Sequence, residues 1–233
     1  MFLRGAIFAV FFPFLHGCSS EDAPEVNQST DHEYMPLTLG IYQIYDVSET
    51  IYVNGPEGES RRYQLKMEVI DSVEGVNGTY TYVISRQTRL EGEPSWTNLD
   101  TWSASFEGQE AVVQEGNISY VKLMTPVSLE LFWNGNRYNT KGEENYTITS
   151  LDQPMTLSEE VFDDVVEITH NDFLDINTRK DIRKEVYARG VGLVKRSEEV
   201  IEYCSDADLC EIGSQIILQG RIVEQVIVEY GKN

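Results

Sequence analysis

The chain has 233 residues, of which 39 are acidic and 18 basic, for a net charge of −21, and 41% are hydrophobic. So acidic a surface repels nucleic acid, and with no basic stripe to offset it DNA and RNA are excluded as partners. A chain of this length builds one good core, and three cysteines with three histidines leave few soft metal donors.

The first residues read as an export segment. Arg4 supplies a positive charge, and an uncharged apolar run from Gly5 to Leu15 follows. That run is about half of the roughly 20 residues a membrane span needs, and Pro13 interrupts it. It fits a secretory signal peptide over residues 1–17. Its end, Leu15-His16-Gly17-Cys18, resembles the bacterial lipobox, in which the cysteine is acylated and the chain is cut before it. His16 departs from that pattern, and an ordinary secretory signal with an incidental cysteine is the competing reading. With Cys18 assigned to lipid, residues 18–33 form an acidic tether too poor in apolar side chains to order itself. Such a tether spans up to roughly 50 Å when extended. A single β-rich domain is expected over 34–233.

From Tyr34 onward the pattern is strand after strand. Ile41–Val47 and Thr50–Val53 precede Asn54-Gly55, and Tyr63, Leu65, Met67 and Val69 alternate with polar residues as in a half-buried strand. Asn77-Gly78 signals a hairpin into Thr79–Leu90. Strands are expected at Ser95–Phe106, Glu110–Gln114, Ile118–Met124, Leu129–Trp133 and Tyr146–Ser150, with Gly108 and Gly116-Asn117 as turns. Thr156-Leu157-Ser158-Glu159 matches a capping box, which predicts one or two helical turns over Ser158–Asp164. A strand through His170, a hairpin or long bent strand over 185–203 with Gly190 and Gly192 at its bend, and a long strand over Gln215–Tyr230 complete the chain. About eleven or twelve strands with short connections and minor helix predict an all-β fold. The architecture is a single antiparallel meander, curved into a large sheet or half-closed barrel.

Two segments resemble a group of uncharacterised Bacteroidota outer-membrane and surface lipoproteins. They are Tyr34-Met-Pro-Leu-Thr-Leu-Gly-Ile-Tyr-Gln-Ile-Tyr45 and Tyr187-Ala-Arg-Gly-Val-Gly-Leu-Val194. The stretch Asn117–Pro126, ahead of Trp133, has the same look. The resemblance implies a place and a fold more than an activity. Ser19 after Cys18, with Glu21-Asp22, is similar to an outer-membrane and surface address.

The remaining candidates are each weighed against a structural role. Cys204 and Cys210, six positions apart around a polar loop, read as a disulfide, since a zinc site would need two more ligands. Closing so short a loop contributes on the order of 2 kcal/mol. His170 would need Asp172 or Asp175 and a serine to be catalytic, and no nucleophile elbow or metalloprotease helix accompanies it. A structural histidine is the preferred reading. Adjacent carboxylates recur throughout, but with 39 acids adjacency does not single out a glycosidase pair. Asp206 and Asp208 lie in the cysteine loop without a calcium-loop pattern. The positive cluster from Arg179 to Arg196 would meet anionic headgroups or, preferably, pair with carboxylates on neighbouring strands. Trp96, Trp102 and Trp133 are the candidate ligand-lining residues, against the alternative of core packing.

The expected function is that of a non-enzymatic lipoprotein anchored to the outer membrane through Cys18, binding a hydrophobic or glycan ligand or a partner protein. A structural component of a surface complex without a small-molecule site is the alternative, and a secreted hydrolase the weakest. No catalytic residue, metal ligand or cofactor is assigned.

Overall fold

The computed structural model describes residues 30–76 and 78–233. The expected signal peptide, Cys18 and the first part of the tether lie outside those residues. Twelve strands follow a short 3-10 helix, Thr30–Tyr34. They are β1 (Ile41–Tyr52), β2 (Gly58–Glu74), β3 (Tyr80–Leu90), β4 (Thr97–Glu107), β5 (Glu110–Glu115) and β6 (Ile118–Met124). The second half comprises β7 (Phe132–Asn134), β8 (Asn145–Leu157), β9 (Glu160–Asp175), β10 (Arg179–Ala188), β11 (Gly192–Tyr203) and β12 (Ile217–Lys232).

All twelve strands belong to one antiparallel sheet in the order β6-β5-β4-β3-β2-β1-β12-β11-β10-β9-β8-β7. The fold is all-β, as the alternation predicts, and the sheet curls until its two edges meet. No ladder joins β6 to β7 among the described residues. Instead the Val121 N–H donates to the Gly135 carbonyl at 2.9 Å, and the Trp133 indole N–H donates to the Val121 carbonyl at 2.7 Å. The Asn139 amide reaches the Ser119 carbonyl at 2.8 Å. The seam of this nearly closed barrel is therefore fastened largely by side chains, which occupy edge groups that would otherwise template pairing with another chain.

Two local expectations are corrected. The two short strands expected at Ile41–Val47 and Thr50–Val53 are one strand, β1, because Ser48-Glu49 pairs on both sides with β12 and β2. The helix expected at Ser158–Asp164 is absent: Ser158 takes a positive φ of 55° and turns β8 into β9. A capping-box spelling sits there without the helical periodicity that would sustain a helix. β9 instead alternates Phe162 with exposed residues and then buries Val165 and Val166.

Glycine is required at one crossing. A Cβ on Gly220 would lie 2.4 Å from the Val200 carbonyl oxygen and 2.7 Å from the Ile201 Cα, so β11 and β12 approach there only because that atom is missing.

Thr30–Glu33, expected as part of the tether, form a short 3-10 helix with Tyr34. The segment 30–40 belongs to no strand. It runs as a strap across the end of the barrel where β1 begins and β12 finishes, and the Asn233 N–H donates to the Gly40 carbonyl at that end. Tyr34 and Met35 are buried in the larger apolar cluster, with Leu123, Ile148, Val166 and Ile168. A second cluster gathers Tyr45, Val47, Leu65, Val186 and Ile227. The far end, where β11 and β12 are joined by the cysteine loop, lies a strand length away, roughly 35–40 Å.

Candidate functional site: a charged interior beneath a strap

The barrel interior is not wholly apolar. Glu185, on β10, is 2% exposed. Its carboxylate accepts from the Lys122 ammonium at 2.9 Å and from the Tyr187 hydroxyl at 2.7 Å. Lys122 also pairs with Glu115 at 2.7 Å. The Arg196 Nε lies 3.7 Å from Glu185 and donates to Glu198 at 2.7 Å. His170 Nε2 lies 3.2 Å from the second Glu185 oxygen, in contact but off the hydrogen-bond line. Its ring stacks on Tyr146 at 3.8 Å.

Strand irregularities aim two of these side chains. In the β5–β6 ladder Ala111 pairs with Leu123 and Val112 with Val121, which leaves Lys122 as the extra residue of a β-bulge. In the β9–β10 ladder Arg183 pairs with Asn171 and Lys184 with Thr169, which leaves His170 in the same position. A bulge re-aims a side chain at the cost of one unpaired residue, a local bend and a stronger twist in its strand.

Mutual pairing fixes the charge states. Burial pushes the Glu185 carboxyl up, but Lys122, His170 and Arg196 outweigh it and hold the group well below the usual carboxylate range. Burial likewise opposes the charge on Lys122, and Glu115 and Glu185 more than restore it. Glu115 is held low against burial by Lys122 and Arg196. Burial lowers the His170 pKa and Glu185 opposes this only in part, so the imidazole is neutral at pH 7.

Next to this network, under the strap, is a cavity of about 80 Å³. Met35, Pro36 and Leu37 border it on the strap side, Met67, Ile84 and Trp102 form apolar wall, and Glu115, Lys122, Glu185 and Arg196 reach it from the network. The strap is fastened at the rim. The Tyr34 hydroxyl donates to Asp164 at 2.9 Å. Arg189 donates to Asp164 at 2.6 Å, lies 3.6 Å from Asp31, and stands over the Tyr34 ring at 4.4 Å. The Val127 N–H donates to Asp31 at 2.9 Å, and His32 stacks on Phe106 at 3.9 Å.

The two segments that carry the family resemblance meet here. Tyr34–Tyr45 is the strap and the start of β1, and Tyr187–Val194 is the hairpin beneath it. The Gly190 N–H donates to the Glu33 carbonyl at 2.8 Å. The Gln43 amide donates to the Val191 carbonyl at 2.8 Å and the Tyr45 hydroxyl to the Leu193 carbonyl at 2.9 Å. Gly190 and Gly192 both have positive φ, and a Cβ on Gly192 would press on Gln43 and Pro36. Val191 is buried, as the bend between the two glycines requires.

The predicted site residues separate. Trp102 borders the cavity with Arg86 stacked 3.8 Å from its ring. Trp133 is buried at the seam. Trp96 lies against Arg89 at 4.3 Å, away from the cavity. Cys204 and Cys210 form a disulfide at the far end, with Cα atoms 6.3 Å apart. His170 joins Glu185 rather than Asp172 or Asp175; the latter carboxylate caps the β9–β10 turn through Asn177 and Thr178. Asp206 accepts from the Asp208 N–H within the cysteine loop, and no group of three metal-ligating side chains occurs among the described residues. The basic cluster pairs across strands: Lys180 with Glu199, Arg183 with Glu144, Lys184 with Glu167 and Lys195 with Glu224.

The arrangement defines an all-β barrel with a paired-charge interior and a strapped end. No protein-family model matches the chain, and no curated protein is similar to it. Two solved structures share part of its shape. One is a protein assigned as exported, with a YmcC-like fold, from Bacteroides fragilis: TM-score 0.46, 12% identity, covering 84% of this chain and 98% of that one. The other is a protein assigned as a lipoprotein from Parabacteroides distasonis: TM-score 0.41, 12% identity, covering 85% and 98%. Likeness at this level says nothing about activity.

Proposed function

We propose that the chain is a non-enzymatic envelope lipoprotein of the Bacteroidota group that its two motifs resemble. Cys18 carries the lipid, and the barrel is held at the outer membrane by its strapped end. The observation that supports the reading is the strap. The segment leading back toward Cys18 is clamped across one end of the barrel, and the eleven residues between Cys18 and Thr30 reach about 40 Å at most. The barrel therefore sits close to the bilayer with its cysteine loop facing away. The interior supports a non-catalytic role, because Glu115, Lys122, Glu185 and Arg196 are each paired with opposite charge that holds them ionised, whereas an acid–base catalyst needs a pKa near the working pH. Labelled palmitate should enter the wild-type protein and not a Cys18→Ser variant. A variant that remained lipidated and membrane-bound would overturn the reading.

A further inference from the structure

We infer that the cavity beneath the strap is a binding site for a single-chain amphiphile, and that the strap is its removable lid. This goes beyond membrane anchoring and stands without it. Three observations carry the inference.

The first is chemical. One wall is apolar, with Met67, Ile84 and Trp102, while Lys122 and Arg196 reach the cavity from the buried network beside the carboxylates Glu115 and Glu185 that they neutralise. Lys122 spends two N–H groups on Glu115 and Glu185. The Arg196 Nη1 comes no closer to Glu115 than 3.9 Å. An alkyl chain with a hydrogen-bond-accepting head matches that division: the tail meets carbon and the head meets a donor.

The second is that the strap already supplies apolar side chains to this place. Met35 and Leu37 belong to or pack against the main apolar cluster while bordering the cavity. At about 80 Å³ the cavity, partly open at the strap, admits a few water molecules and no long chain. Lifting the strap would join it to the space those two side chains vacate, and a tail entering there would replace the apolar contact they give up.

The third is mechanical. The strap lies outside the sheet, so moving it breaks no ladder. Its polar side-chain fastenings are rim contacts, centred on Arg189, Asp164 and the Tyr34 hydroxyl, and opening it also lifts the buried Tyr34 ring and Met35 out of the main apolar cluster. Ligand affinity should then be reduced by the fraction of time the strap is closed.

The test uses the chain from residue 18 with Cys18→Ser, so that no attached lipid competes, and parinaric acid as a fluorescent single-chain probe. The Arg189→Ala variant should bind the probe at least about tenfold more tightly than the parent. Tyr34→Phe, which removes one hydroxyl, should shift affinity the same way by less. Dodecanoate should displace the probe, and Trp102→Phe should lower energy transfer from tryptophan to it. Circular dichroism establishes that each variant is folded. Failure of the folded parent and both strap variants to bind, equal affinity in all three, or unchanged transfer in Trp102→Phe would each overturn the inference.

Discussion

Replacing Lys122 with methionine tests the charged interior most directly. Lys122 is 5% exposed and bonds Glu115 at 2.7 Å and Glu185 at 2.9 Å. Methionine keeps much of the volume and removes the charge, leaving two carboxylates in the interior with Arg196 as the nearby cation, beside the Tyr187 hydroxyl and the neutral His170. Removing one partner of a buried pair typically costs 3–5 kcal/mol, because the remaining charge is uncompensated. For a domain of this size each 1 kcal/mol lowers Tm by about 2–4 °C, so a fall of roughly 6–20 °C is expected. Urea unfolding followed by tryptophan emission gives the free energy. Adding Glu185→Gln removes one of the stranded charges, so Lys122→Met/Glu185→Gln should lose less than the two single losses together, with a coupling of about 1 kcal/mol or more. A Lys122→Met variant within about 1 kcal/mol of wild type, or strict additivity in the double variant, would show that water or rearrangement reaches these groups and that the network is not closed.

Three further outcomes are expected. Cys204→Ala/Cys210→Ala should cost about 2 kcal/mol, since the loop it opens is short; a loss of twice that in chemical denaturation would give the far end a larger role. Gly220→Ala should cost more than about 2 kcal/mol, because the added carbon meets the backbone of β11, whereas Gly108→Ala, at a positive φ in open space, should cost about 1 kcal/mol. The pH dependence follows from His170, whose folded-state pKa lies below the unfolded value of about 6.5. Well above pH 6.5 neither state is protonated and stability is unaffected. As pH falls below it, the unfolded chain takes up a proton that the folded chain resists, so stability declines until the folded pKa is reached. His170→Gln should flatten that decline in denaturation curves taken at pH 7.5 and 5.5, and identical slopes would refute the assignment.

The strands were legible because side chains with period two announce a half-buried sheet, and Asn54-Gly55, Gly108 and Gly116 mark turns where the chain does reverse. Strand order was partly legible, since consecutive strands pair, but nothing in β1 or β12 specifies the other as partner. The charged interior was not legible. Glu185 and Arg196 occupy positions that also suit a solvent-facing side chain, and Lys122 and His170 reach the network at bulges, where the alternation used to read burial is interrupted. The strap was hidden by composition, because Asp31, His32 and Glu33 are the residues of a solvated tether until Arg189, Val127 and Phe106 are brought against them. Thr156–Glu159 misled for a related reason: a local cap spelling was overridden by the β8–β9 pairing.

Of the eleven ladders among the described residues, ten join strands adjacent in the chain, and the exception joins β1 to β12, from Ile41 opposite Lys232 to Tyr52 opposite Gly220. A chain made from its N-terminus must therefore keep one flank of β1 open until the last strand has been made. Loss of the final strand would not trim an edge. It would divide the sheet into a six-strand and a five-strand piece, each with a fresh unpaired border. A circularly permuted chain that began at β7 and ended at β6, with a linker joining the present termini, would lay every strand beside the one made just before it. Comparing its refolding rate with that of the natural order would measure what the single long-range ladder costs.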